Sequence, residues 1–252
     1  MSLTAALIVV AAGLAAGTMN VIVGSGSLIT FPTLLGLGFA PVIANVSNTV
    51  GLVPGSLSAV IAYRRELHGQ YGRALHLGCA SVAGGLCGAA LLLELPGTTF
   101  RRAVPFLVLI ASVLMALQPR LARRLAESGQ RRVNGGPSLL ASVLATGIYG
   151  GYFGAAQGVI LISLLAIFID DDLQRLNGMK NVLALLANGS AGLLFVISSH
   201  VSWLAAGLIA AGSIVGGQIG GIIGRRLSPV ALRGVVVIGG VAVATLLFVK
   251  YR

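Results

Sequence analysis

The sequence predicts an all-α integral membrane fold made of two inverted repeats, each a broken helical hairpin followed by three transmembrane helices. Three observations predict it. Charged residues make up 9% of the 252 and hydrophobic ones 56%, whereas a soluble domain carries about 25% charge to keep its surface wet. The apolar residues lie in long runs, several reaching the roughly 20 residues that cross a bilayer. The two halves of the chain also match at a constant offset of 132, from Gly26 with Gly158 to Arg101 with Arg233.

The apolar runs cover residues 3–23, 28–39, 42–63, 74–93, 103–117, 138–169, 173–198, 201–224 and 231–249. The first has no basic residue ahead of it and continues into Asn20, which argues against a cleaved secretory signal. Residues 3–39 are interrupted by Asn20-Val-Ile-Val-Gly-Ser-Gly-Ser27, and residues 138–169 by Gly150-Gly-Tyr-Phe-Gly-Ala-Ala-Gln-Gly158. Glycine clusters of this kind inside a span mean that a helix unwinds or turns back. Cys79 and Cys87 fall at helical spacing in one run and read as small packing residues rather than as a disulfide or metal pair.

Orientation follows from the arginines. Arg64, Arg65 and Arg73 mark one loop, Arg120, Arg123, Arg124, Arg131 and Arg132 a second, and Arg225, Arg226 and Arg233 a third. The positive-inside rule puts all three in the cytoplasm. Between the second and third loops the crossings must be even in number, so residues 138–169 must enter and leave by the same face. Arg101 and Arg102 stay outside as a weak violation. The expected organisation is a first repeat over 1–117, a cytoplasmic linker over 118–137, and an oppositely oriented second repeat over 138–252. Gly84, Gly85 and Gly88, matched by Gly216, Gly217 and Gly220, read as surfaces for close helix packing.

The net charge of +11 sits in short clusters between spans, so nucleic-acid binding is not expected; the lipid bilayer is the partner it implies. No phosphate loop, metal cluster or nucleophile–base arrangement appears, and three histidines and six acids offer little acid–base machinery. No cofactor or enzymatic activity is expected.

Polar residues inside the spans are the candidate site. Asn20, Ser25, Gly26 and Ser27 stand at the first break, and Gln157 and Gly158 at the second. Exposed N–H groups at the start of a half-helix attract negative charge. Asn45, Ser47, Asn48 and Thr49 open one span, and Asn177, Lys180 and Asn181 open its repeat mate. Asparagine is costly inside a span unless paired, which points to a lined cavity or to bonds between helices. Lys180 lies about 10 Å along its helix at 1.5 Å per residue, where it either meets an anion, snorkels to the surface, or pairs with Asp170–Asp172. Those aspartates read as a solvated helix cap. The candidate site set is therefore Asn20, Ser25, Gly26, Ser27, Asn45, Asn48, Gln157, Gly158, Asn177, Lys180 and Asn181.

The motifs Asn20-Val-Ile-Val-Gly-Ser-Gly-Ser-Leu-Ile-Thr-Phe-Pro32, Ala44-Asn-Val-Ser-Asn-Thr49, Pro54-Gly-Ser56 and Tyr63-Arg-Arg65 resemble the sulfite exporter TauE/SafE family, and Asn177-Gly-Met-Lys-Asn181 resembles its second-half motif. The resemblance implies a multi-pass permease of the bacterial inner membrane for sulfite, thiosulfate, organosulfonates or related anions, with a homodimer among its partner states. A passive anion channel and a non-transporting subunit of a larger complex are the competing functions.

Overall fold

The computed structural model describes residues 1–127 and 136–223 and, beyond them, residues 234, 237, 238, 240–242, 244, 245 and 248. The third basic loop, Arg131, Arg132 and most of the last apolar run lie outside the described residues. Within them the chain is helical, with no strand: α1 (Leu3–Ile22), α2 (Ser27–Gly36), α3 (Pro41–Ala62), α4 (Tyr71–Glu94), α5 (Gly97–Glu127), α6 (Gly136–Tyr152), α7 (Gln157–Phe168), α8 (Leu173–Ser198) and α9 (Trp203–Ile223).

Five of these helices are long and apolar enough to cross a membrane: α1, α4, the segment Gly97–Leu117 of α5, α8, and Trp203–Ile222 of α9. α3 has their length, about 33 Å at 1.5 Å per residue, but its buried residues include Asn45, Ser47, Asn48 and Thr49. That polar stretch lowers its hydropathy because it faces protein rather than lipid. Both predicted interruptions are present, between α1 and α2 and between α6 and α7. α5 runs to Glu127, ten residues past the expected end of the first repeat at 117. Arginine and alanine are good helix formers, so polarity at 118–127 ends the apolar run without ending the helix.

The packing partners cross between the halves. α1 runs parallel to α9, with Gly13 against Ile209 and Gly220 against Val21, and α4 runs parallel to α6, with Gly84 against Gly147. The predicted glycine faces are these contacts. Gly85 lies on Ala187 and Ser190, and Gly217 on Gly55 and Ser58, so the same offset of 132 relates the two contacts. α3 and α8 are antiparallel: Gly192 packs on Val50 and Val53, while Asn177 Nδ2 donates to Tyr63 Oη at the other end, 3.0 Å. α1, α3 and α9 thus point one way and α4, α6 and α8 the other. α2 returns alongside α1, with Gly26 against Ala16, so the first interruption is a hairpin.

The end of α3 and the starts of α4 and α8 meet on one face. Arg73 Nη1 reaches Asp171 Oδ2 at 2.9 Å, and Arg175 Nε reaches Asp171 Oδ1 at 2.8 Å. Asp172 caps α8 by accepting from Gln174 N, 2.9 Å, the helix-start role expected for these aspartates. Partial burial pushes the Asp171 carboxyl up, but hydrogen bonds from Arg73, the Asp172 backbone and Arg175, with the Arg175 charge, outweigh it and hold the pKa below its ordinary value. A lowered folded-state pKa stabilises the fold above the unfolded pKa, and the contribution is lost as pH falls through the folded value. Asp171→Asn is therefore expected to cost about 1 kcal/mol near neutrality. Thermal melts of the variant and the wild type should converge on acidification; parallel melts at all pH values would remove the linkage.

Cys79 and Cys87 are exposed and unbridged. The packing role expected for them is corrected: they point outward from α4, whose inner face is built from Gly78, Ser81, Gly84, Gly85 and Gly88.

Candidate functional site

Both broken helices stop by the same backbone device. At the end of α1, Val23 N and Gly24 N both donate to Met19 O, at 2.8 and 3.1 Å, and Gly24 takes φ +84°. At the end of α6, Phe153 N and Gly154 N both donate to Tyr149 O, at 2.9 and 3.1 Å, and Gly154 takes φ +75°. A left-handed glycine after the last turn is the standard helix stop, since a Cβ there is strained. Ala156, the N-cap of α7, also has positive φ, 59°. A non-glycine residue there costs about 1 kcal/mol, so Ala156→Gly is expected to raise thermal stability by about that amount; a neutral or lower melting temperature would mean that the methyl group contributes packing instead.

The carbonyls that these stops expose are capped from the opposite half. Asn177 Nδ2 donates to Val21 O at 3.3 Å, and Asn45 Nδ2 donates to Tyr152 O at 3.0 Å. These asparagines are repeat mates, so the third helix of each half holds the broken helix of the other. Lys180 adds a further donor on one side only. Its Nζ donates to Val21 O at 2.9 Å and to Asn20 O at 3.2 Å, and the side chain is 1% exposed. It therefore neither snorkels nor pairs with Asp170–Asp172: the nearest acceptors are the last carbonyls of α1, and a cation is favoured at that end of a helix dipole. Asn48 stands at the corresponding place in the first half, where its Nδ2 donates to Ser27 Oγ, 3.1 Å, and its Oδ1 accepts from Thr30 Oγ1.

The two breaks meet. Gly158 N, in the first turn of α7, donates to Gly24 O at 2.9 Å, and the two glycine backbones lie so close that a Cβ on either would overlap the other. Beside this contact is a cavity of about 10 Å³ lined by Asn20, Gly24, Ser27, Thr49 and Leu52 from the first half and Gly154, Gln157, Gly158, Ala184 and Asn188 from the second. That is roughly the room one water needs. The starts of α2 (Ser27) and α7 (Gln157) both open on it, and no carboxylate lines it among the described residues. Gln157 is 1% exposed; its Oε1 accepts from Asn188 Nδ2 at 3.1 Å, and its Nε2 has no partner. An unpaired buried donor beside two helix N-termini is an arrangement that favours negative charge.

Of the residues expected from sequence, Asn20, Ser27, Gln157 and Gly158 line this cavity. Asn48 holds Ser27 in place, and Asn45, Asn177 and Lys180 hold the broken helices. Gly26 begins α2 against Ala16. Ser25 and Asn181 are buried, with Ser25 Oγ and Asn181 Nδ2 unpartnered, and neither lines the cavity. Thr49 and Asn188 line it and were not in the candidate set. The repeat offset pairs Thr49 with Asn181 and Ser56 with Asn188, so polar positions recurring in both halves were the signal that would have found them. No group of three or more histidine, cysteine or acidic residues able to hold a metal occurs among the described residues.

The family model for the sulfite exporter TauE/SafE matches residues 9–247. A probable membrane transporter protein YfcA of Escherichia coli is 28% identical over 206 residues, covering 81% of this chain and 75% of the relative. A probable membrane transporter protein of Haemophilus influenzae is 25% identical over 229 residues, covering 90% of this chain and 88% of the relative. One from a Sinorhizobium species is 26% identical over 229 residues, covering 91% and 87%. No solved structure matches significantly.

Proposed function

The chain belongs to the sulfite exporter TauE/SafE family and is a multi-pass bacterial membrane transporter, and from that premise we propose that it exports small sulfur-containing anions such as sulfite, thiosulfate or organosulfonates by alternating access. The observation that carries the reading is the cavity between the breaks, onto which two half-helix N-termini and the unpaired Gln157 amide converge. The capping of α1 and α6 from the opposite half supports it too. With the carbonyl ends occupied by Asn177, Lys180 and Asn45, the amide ends are what face the ligand.

The halves are read as oppositely oriented. The α1–α2 hairpin enters from outside and the α6–α7 hairpin from the cytoplasm, consistent with the antiparallel α3 and α8 and with Arg64, Arg65 and Arg73 on one face. A cavity with room for about one water cannot hold a sulfur oxyanion, so the ligand is admitted when the two breaks move apart. Such movement at the interface of discontinuous helices is how many repeat transporters alternate between faces.

The test is flux from proteoliposomes loaded with sulfite, thiosulfate or an organosulfonate. Wild-type protein should transport at least one. Gln157→Leu should lower affinity about tenfold, the loss expected when one hydrogen bond to a charged ligand disappears. Absence of flux and binding across the panel would reject the anion reading.

A further inference from the structure

We propose that Lys180 couples anion binding to the uptake of a proton, so that the site takes its anion and a proton together; this rests on the transporter reading above. Among the described residues Lys180 is the only charged side chain that is buried. Its Nζ makes two hydrogen bonds, to the carbonyl oxygens of Asn20 and Val21 at 3.2 and 2.9 Å. A neutral amine supplies both N–H groups that these bonds need and keeps a lone pair for a further proton. Both protonation states therefore fit the same two carbonyls, and the surroundings decide which one is held.

Those surroundings offer an ammonium no counter-ion among the described residues. α1, α2, α3, α6, α7 and α9 contain no charged residue. Just past α3, Tyr63 Oη accepts from Asn177 Nδ2 and donates to Gln174 Oε1, and Asn177 shares the Val21 carbonyl with Lys180. Tyr149 of α6 donates to Ala155 O. Glu66 packs its stem on Gly178, about 200° around α8 from Lys180 at 3.6 residues per turn. Asp170–Asp172 precede α8, where Arg73 and Arg175 hold Asp171 and Asp172 caps the helix. His76, Cys79 and Cys87 lie on the exposed face of α4.

An ammonium without a counter-ion is costly away from water. The cavity has the converse need, since Asn20, Ser27, Thr49, Gln157 and Asn188 give it only neutral polar groups. Asn20 joins the two, lining the cavity while its carbonyl accepts from Nζ. An anion in the cavity and a proton on Lys180 therefore stabilise each other, whether the anion carries one negative charge or two. The proton comes from water onto the amine lone pair, and no other bond changes. By reciprocity, the proton raises anion affinity by the same factor as the anion strengthens the hold on the proton. A dianion then crosses with one net negative charge, which an inside-negative membrane potential drives outward.

Thiosulfate and methanesulfonate serve as probes, because neither changes its own protonation near neutrality. The full chain in weakly buffered detergent solution is mixed with saturating anion, and a pH indicator reads the protons taken up. Calorimetry gives Kd from about pH 6 to about pH 9. Wild-type protein should take up protons, to a limit of about one per site, and bind about tenfold more weakly at the alkaline end. There its affinity should approach that of Lys180→Met, which should bind weakly at every pH and take up none. Lys180→Arg keeps its charge throughout and should bind without proton uptake; if arginine does not fit the site, the wild type and Lys180→Met decide. Wild-type binding with no proton uptake and a pH-independent Kd would overturn the coupling while leaving the transporter reading intact, as would uptake that survives in Lys180→Met. Binding of neither probe, with the wider anion panel also silent, would overturn both.

Discussion

Gly158→Ala is expected to cost about 3 kcal/mol or more, the range for overpacking where neighbours cannot shift, and to abolish transport. A Cβ on Gly158 would overlap the Cα and carbonyl oxygen of Gly24. Those are backbone atoms of a turn already fixed by two hydrogen bonds to Met19 O, so no rotamer change relieves the overlap. The added methyl would also separate Gly158 N from Gly24 O, leaving a buried donor and acceptor unpaired. Gly24→Ala meets the same overlap from the other side and adds the cost of φ +84°. Gly36→Ala is the control: that glycine ends α2 with nothing within 4 Å of an added Cβ, and its effect should stay within about 0.5 kcal/mol. Thermal melts in detergent and proteoliposome flux report the two effects. A Gly158→Ala protein with wild-type melting temperature would mean that the breaks do not touch.

How the sequence led to this contact, and where it did not, has a physical explanation. The breaks were legible because glycine and polar residues inside apolar runs are rare enough to mark unwinding, and because Gly26 and Gly158 share one offset. The glycine faces of α4 and α9 were legible for a similar reason: a repeated small residue in a span has few uses besides close packing. The role of Asn45 and Asn177 was not. Burial cost says that an intramembrane asparagine has a partner, but the partners are carbonyls of Tyr152 and Val21, more than a hundred residues away. A backbone carbonyl leaves no trace in residue identity. The same applies to Lys180, whose sequence neighbours offered three aspartates while its actual acceptors are two carbonyls of α1. Asp171 was claimed instead by Arg73 and Arg175.

Lys180→Met is expected to weaken anion binding about tenfold, because a buried ammonium next to the cavity-lining Asn20 contributes on the order of 1–2 kcal/mol at an effective dielectric near 20. Methionine keeps the unbranched stem and much of the volume, so the change isolates the ammonium. Its effect on stability should be smaller. Val21 O retains the Asn177 amide, Asn20 O loses the ammonium, and the cost of burying a charge disappears along with the bonds. Asn177→Leu provides the contrast, since it removes a donor to the same carbonyl and the bond to Tyr63 Oη without altering charge. It should destabilise by about 1–3 kcal/mol while leaving anion affinity within about threefold, because the field of Lys180 remains. If the two variants lose affinity equally, the ammonium matters only as a cap on α1. If only Lys180→Met loses it, the charge acts on the ligand through the helix end it occupies.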